Sequence, residues 1–412
     1  MIPVTVEELR DLGLGELQGS GELIGLEIDS RRVGPGRLFV AIRGGRAFVE
    51  EALAQGAPTL VPHDEFSAMA IIGQLLRGRS SARFVGVTGS TGKTSTKDIL
   101  AALCAPVVRT VATERSHNAE LGVPLTLGRV EPDTEVCIIE MGMRGFGQIA
   151  ELCEIARPQI GVITAVGPVH LELVGSVDGV ARSKAELVAA LPEGGIAVVP
   201  ESDALEPHLR DDIEIRRVGP VDVELRDDGA HVLFQGERIR FPVTSRHQAQ
   251  NALTALTAYD ALGLPLDRVA EGAAAVMLSP WRGEELALPD GGFVVNDAYN
   301  ANPTSMEAAL RHLAERGSGH RLLAILGGMA ELGEDDDRHH REIAELAAEL
   351  GIEVVAVGEL ARAYGAETWE PDAEAALATA RALVRPGDAV LVKASRAVAL
   401  EGIAPALANL TA

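Results

Sequence analysis

The run Gly86-Val87-Thr88-Gly89-Ser90-Thr91-Gly92-Lys93-Thr94-Ser95-Thr96 carries the clearest chemistry in the chain. A glycine turn between an apolar stretch and a helix start aims backbone N–H groups, and the positive end of the helix dipole, at one point. Phosphate is the ligand such a point favours. Lys93 would reach the terminal phosphates and the Thr94 hydroxyl would hold magnesium. The general P-loop pattern places a glycine where Val87 stands; here the glycine is Gly89, giving the variant TGxxGKT. A plain strand–helix turn with a chance lysine is the alternative. The apolar approach Phe84–Val87 and the helical continuation Thr94–Leu100 favour the phosphate loop. Gly89, Ser90, Thr91, Gly92, Lys93, Thr94 and Ser95 are therefore expected to cradle a nucleoside triphosphate, ATP.

Three further residues have types suited to the metal side of such a site. Glu140 and His170 each follow a short apolar run, 135–139 and 160–166. Singly, each reads as a solvated loop residue; beside a phosphate loop they read as metal ligands. Lys184 lies on the apolar stripe of a helix expected over 176–191, with Val177, Val180, Leu187, Val188 and Leu191. A free lysine, with pKa about 10.4, is neutral roughly once in a thousand molecules at pH 7.4. Burial lowers that pKa by up to about 3–5 units. The neutral amine then reacts with carbon dioxide to give a carbamate, an anionic oxygen ligand for magnesium. On periodicity alone, a lysine that snorkels to the surface along its stem is the commoner arrangement.

These residues need a scaffold that presents strand ends to one place. Unbroken apolar runs alternating with amphipathic helices predict an α/β chain of parallel sheets covered on both faces, with ligands beyond the carboxyl ends of the strands. Three units are expected. Residues 1–82 carry short strands, including 26–31 and 38–42, and place Ser30 and Arg31 at a strand end. There they would hold a phosphate or diphosphate, although an exposed polar turn accounts for them equally. Residues 83–285 carry the phosphate loop on a mostly parallel sheet, with a small antiparallel meander over 221–243. Residues 286–412 restart the alternation, with strands at 293–295, 322–326, 354–357 and 389–392, as a doubly wound Rossmann-like domain.

Composition narrows the partners. Lys+Arg 37 against Asp+Glu 60 gives a net charge of −23, which argues against nucleic acid or an anionic membrane surface. Anionic ligands must then be drawn by local donors. The three cysteines, Cys104, Cys137 and Cys153, lack metal-like spacing and are expected to be reduced packing residues. No signal-like N-terminus and no membrane-length apolar run is present, so a cytoplasmic location is expected.

Taken together, the chain resembles the ATP-dependent Mur ligases of peptidoglycan synthesis. The resemblance rests on Asp29-Ser30-Arg31, TGSTGKTSTKD, His117 to Leu127, Glu140-Met141-Gly142 and GPVHLE. It continues through Arg182-Ser183-Lys184-Ala185-Glu186, Asn251-Ala252, Pro280-Trp281-Arg282-Gly283-Glu284, NDAYNANPTSM, GGMAELGE and Val392-Lys393-Ala394-Ser395-Arg396. It implies that Lys93 and Thr94 bind ATP phosphates and magnesium, and that Glu140, His170 and a carbamylated Lys184 hold two magnesium ions. Asn251 would contact the nucleotide, Arg282 the γ-phosphate and Asp297 the ribose, with Tyr299, Asn300 and Asn302 beside it. Ser30 and Arg31 would lie near a UDP moiety; Asn118, Lys393, Ser395 and Arg396 would help seat substrate. The run AYNANPTSM implies the branch that adds D-alanyl-D-alanine to UDP-N-acetylmuramoyl-tripeptide, in a monomer whose C-terminal domain closes over the nucleotide. A sibling ligase, a hydroxyl-directed phosphotransferase and a nucleotide-binding regulatory module are the rivals. The chain departs from the family in lacking the Gly-His loop after the strand at 38–42, in a short segment between Pro62 and Arg83, and in Gly328, where an acidic residue is common.

Overall fold

The computed structural model describes residues 1–115 and 117–409. The central sheet has six strands, all parallel, in the spatial order Glu214–Val218, Ile196–Pro200, Ile160–Ile163, Arg83–Thr88, Val136–Glu140, Thr110–Ala112. Strand alternation explains its two covered faces. Phe84, Cys137 and Ile139 point to one side, packed on Met69, Ile72, Leu76, Val180 and Leu187. Val85, Val87, Val136 and Ile138 point to the other, packed on Ile99, Leu103, Ala252 and Leu256. The chain leaves the Arg83–Thr88 strand toward one flank and returns to the other, so that strand lies at a switch point, where a crevice opens beyond the carboxyl ends.

The C-terminal sheet runs Glu284–Ala287, Phe293–Asn296, Ala389–Lys393, Leu322–Gly327, Ile352–Val357, Thr368–Glu370. Only the first is antiparallel to its neighbour. Val295, Ala324, Leu326 and Leu391 bury against Met306 and Leu310, while Val294, Leu323, Ile325 and Val390 bury against Ile403 and Leu407. That is a doubly wound α/β layer. The expected meander is a three-stranded antiparallel sheet, Val223–Arg226, Gly229–Phe234 and Glu237–Phe241. Near the N-terminus a mixed four-stranded sheet orders Gly15–Gln18, Thr59–Pro62, Arg37–Val40, Gly25–Glu27.

Packing runs across two of the expected limits. The strand Glu284–Ala287 straddles 285/286 and pairs with Phe293–Asn296, so the C-terminal layer begins before residue 286. At 82/83 the apolar core does not break: the helix Glu65–Arg79 lies on the central sheet's helices. A Cβ at Gly73 of that helix would sit 2.9 Å from Ile155 Cγ2. The expected strand over 26–31 ends at Glu27, because Asp29 caps a 3-10 turn at Ser30–Arg32 by accepting from Arg31 N–H. The three cysteines are free and buried, and burial pushes each thiol up to about 12.

Candidate active site

The phosphate loop is shaped by what presses on it. Gly89 has φ +151°, and a Cβ there would lie 1.9 Å from Thr164 Oγ1. Gly92 has φ +79°, and its Cβ would lie 2.3 Å from Asn251 Oδ1. Both glycines are thus required by close neighbours as well as by backbone conformation. Ser90 ties the loop to the next strand's loop: its N–H donates to Ala165 O (2.8 Å), its Oγ–H to Gly167 O (3.1 Å). No side chain caps the helix Lys93–Cys104, so its first-turn N–H groups face the crevice as phosphate donors. Lys93 Nζ donates to Gly89 O at 2.7 Å. Deeper in this helix, Asp98 accepts from both Ser279 N–H (2.9 Å) and Ser279 Oγ–H (2.7 Å), anchoring the segment that carries Arg282.

A cleft of about 750 Å³ opens in front of the loop. The loop residues Ser90 to Ser95 line one wall; Glu140, His170 and Lys184 line another, together with Asn118. Asn251, Arg282, Asp297, Tyr299, Asn300, Asn302 and Lys393 complete it. Gly89 lies behind this lining, packed on Thr164. Glu140 ends its strand and is 1 % exposed. Its Oε1 accepts from Asn118 Nδ2 at 2.7 Å, while Oε2 is buried with no hydrogen-bond partner among the described residues. A carboxylate oxygen left bare in this way suits a cation. Lys184 is 2 % exposed on the helix Val177–Ala189, between buried Val180 and Leu187, whereas Val177, expected on the same stripe, is exposed. Burial, then the charge of Lys93, push its amine well below the usual lysine range. The snorkelling alternative is therefore overturned: the stem does not lead the amine to the surface.

Among the described residues no three His, Cys, Asp or Glu side chains converge as a metal cage. Glu140 and His170 are two side chains that could hold a metal on that wall; the third position there is Lys184, whose ammonium has no lone pair to coordinate one. Burial also lowers the pKa of Lys93, opposed by Glu140 and assisted by Arg282. Arg43, Lys93, Arg144, Arg282 and Lys393 line this cleft, against Glu120, Glu140 and Asp297, inside a chain of net charge −23. Local donors, not the overall field, draw the anion.

The C-terminal sheet contributes its own strand ends. Asp297 follows Phe293–Asn296, and Lys393 ends the adjacent strand; Lys393 Nζ lies 2.6 Å from Asp297 Oδ2 and donates to Asn300 O at 2.9 Å. The Arg282 guanidinium stacks 3.9 Å over the Tyr299 ring, and its buried Nε has no acceptor among the described residues. Asn302 caps the helix Pro303–Arg316 by accepting from Ser305 N–H. Gly167 lets Thr304 approach: a Cβ there would be 2.6 Å from Thr304 Oγ1.

Four expected residues are not brought to this cleft. Arg31 is 84 % exposed and pairs with Asp29, and Ser30 sits in the same turn. Ser395 donates its N–H to Gly328 O, and Arg396 stacks 4.6 Å from the Trp281 ring centre and pairs with Glu401. Conversely, Arg43, Arg144, Thr164, His247 and Gln248 line the cleft without having been singled out. Gln248 accepts from Asn251 Nδ2 (3.0 Å) and donates to Arg282 O (3.2 Å). Its place three residues before Asn251 on one helix was the available signal.

Residues 87–259 match the model of the Mur ligase middle domain, and residues 281–396 that of the Mur ligase, glutamate ligase domain. The chain is 35% identical over 468 residues to the UDP-N-acetylmuramoyl-tripeptide--D-alanyl-D-alanine ligase of Mycobacterium bovis, covering 93% of this chain and 91% of that one. A crystal structure of MurF from Acinetobacter baumannii superposes with TM-score 0.85 at 26% identity, covering 99% of both chains. MurF ligase from Thermotoga maritima in complex with ADP superposes with TM-score 0.82 at 26% identity, covering 93% of this chain and 97% of the other.

Proposed function

The chain belongs to the Mur ligase family, and from that premise we infer how its cleft divides the labour of amide synthesis. It is an ATP-dependent, ADP-forming ligase that joins D-alanyl-D-alanine to UDP-N-acetylmuramoyl-tripeptide in peptidoglycan precursor synthesis. The observation that supports the division is one cleft faced by Ser90–Ser95 on one wall and by Glu140, His170 and Lys184 on another.

In the first step the terminal carboxylate of the tripeptide bonds to the γ-phosphorus. The bond to the β–γ bridging oxygen breaks, ADP departs with the electron pair, and an acyl phosphate remains. An anion here attacks an anion, so screening and alignment are the main tasks of the protein. Lys93 sits at the loop's mouth for the terminal phosphates, and Arg282, held on Tyr299 and by Gln248, faces the γ-phosphate. In the second step the neutral amine of D-alanyl-D-alanine bonds to the acyl carbon, inorganic phosphate leaves, and the nitrogen sheds a proton. Glu140, His170 and a Lys184 carbamate, with Thr94 opposite, fit two magnesium ions, which when bound supply charge neutralisation at the phosphates. The carbamate forms as the neutral Lys184 nitrogen bonds to carbon dioxide and loses one proton. Asp297, oriented by Lys393, accepts from the ribose hydroxyls, and Asn251, Asn300 and Asn302 flank the nucleotide. The wall contributed by residues 282–305 and 393 excludes water from the acyl phosphate. Residues 1–82 take the UDP end of the substrate. No helix among the described residues is long and apolar enough to cross a membrane, which accords with a cytoplasmic enzyme acting on a soluble nucleotide precursor.

ADP release should require UDP-N-acetylmuramoyl-tripeptide and D-alanyl-D-alanine together. Sustained turnover with a hydroxyl acceptor in place of the dipeptide would sink this reading in favour of a phosphotransferase.

A further inference from the structure

His170, which lines the cleft, meets Glu331 from a different sheet. His170 follows the central strand Ile160–Ile163, and Glu331 follows the C-terminal strand Leu322–Gly327. The His170 Nδ1 is hydrogen-bonded to Glu331 Oε2. Both residues hold left-handed backbone, φ +53° and φ +62°, a conformation that costs a side-chain-bearing residue and persists where the surroundings enforce it. The surroundings here are specific. Glu172 N–H reaches Glu331 O at 3.5 Å, Arg144 Nε lies 3.5 Å from Glu331 Oε1, and Met329 N–H donates to buried His340 Nε2 at 3.0 Å. The loop carrying Glu331 is thus pinned at its base by His340 and at its tip by the 170–172 turn.

We propose that Glu331 is the positioning residue for His170: its carboxylate fixes the Nδ1–H tautomer and the ring plane, leaving the Nε2 lone pair aimed at the metal wall. This rests on the reading of His170 as a metal ligand. An ionised carboxylate only accepts hydrogen bonds, so the proton resides on Nδ1 and Nε2 is left to coordinate. Carboxylate–histidine pairs of this kind orient metal-bound imidazoles and raise their basicity. The partner here comes from the other sheet, so the metal wall reaches full strength only when the C-terminal layer is docked. By reciprocity, metal on His170 favours that docked arrangement.

The test is Mn²⁺ binding to the full-length protein, followed by the electron paramagnetic resonance signal of free Mn²⁺, for the parent, Glu331→Ala, Glu331→Gln and His170→Ala. Glu331→Ala should weaken Mn²⁺ binding about 10- to 100-fold. Glu331→Gln keeps an acceptor for Nδ1–H without the charge, and should fall between that variant and the parent. The KM for Mg²⁺ in ADP release should rise in the same order, with unfolding midpoints unchanged. Binding within twofold of the parent in both Glu331 variants, while His170→Ala weakens it, would overturn the proposal alone. Parent-like binding by His170→Ala would overturn the metal-ligand reading beneath it.

Discussion

Gly92→Ala probes the loop at its tightest point. The added Cβ would lie 2.3 Å from Asn251 Oδ1, in a backbone at φ +79°. Left-handed backbone costs an L-residue about 1–2 kcal/mol. Relief of the overlap requires Asn251 to swing away, which breaks its 3.0 Å bond to Gln248 Oε1 and costs about 0.5–1.5 kcal/mol net. The sum, about 1.5–3.5 kcal/mol, corresponds to a loss of ATP affinity on the order of 10- to 400-fold if the free loop relaxes and only the bound form must adopt the strained turn. If the loop is equally rigid without nucleotide, the same energy appears as lowered unfolding free energy. Calorimetric ATP titration and urea unfolding on one preparation measure both shares. A double-mutant cycle with Asn251→Gly separates the two terms, because removing that side chain abolishes the overlap and leaves the backbone cost. ATP affinity within twofold of the parent together with unchanged unfolding would refute the reasoning.

Two further predictions concern buried basic side chains whose pKa values burial lowers. Lys184→Ala should lower kcat for ADP release on the order of 10²- to 10³-fold, the several kcal/mol expected of charge stabilisation at the metal. The parent should lose activity in carbonate-free buffer and regain it with bicarbonate; unchanged rates in both experiments would refute the carbamate. His312, buried beside His247 with ring centres 6.1 Å apart, is lowered from 6.5 to about 4, chiefly by burial and then by His247. The folded state thus disfavours the protonated ring. The stability involved is fully present above pH 6.5 and is lost as pH falls toward about 4, a change on the order of 3 kcal/mol. Unfolding midpoints of the parent should decline through that window and those of His312→Gln should decline less; parallel slopes would contradict the assignment.

What the sequence made legible were the elements that bury themselves on both sides. The runs 84–87, 136–139, 160–163, 293–295 and 389–392 carry no polar side chain because helices cover both faces of a central strand. The residues just past them, Ser90–Ser95, Glu140, His170, Asp297 and Lys393, consequently share one cleft. Edge strands left weaker marks. Glu214–Val218 is largely polar and Glu284–Ala287 half-exposed, since each pairs on one side only and needs little apolar surface. Lys184 could be suspected from periodicity, but whether its stem reached the surface depended on what packs around its helix, which is tertiary information; it is buried. The pairing of His170 with Glu331 joins residues 161 apart; spacing along the chain carries no trace of it. Ser30 and Arg31 share a motif with the family yet sit on an exposed turn, because a short polar run looks alike at a site and at a surface.

The most direct test is a crystal structure of the protein with Mg²⁺ and a non-hydrolysable ATP analogue, grown in bicarbonate. The expected result is triphosphate on Gly89–Thr94, metal density against Glu140 and His170, and carboxyl density on the Lys184 nitrogen. A well-ordered triphosphate whose metals lie away from Glu140 and His170, with Lys184 an unmodified amine, would contradict it.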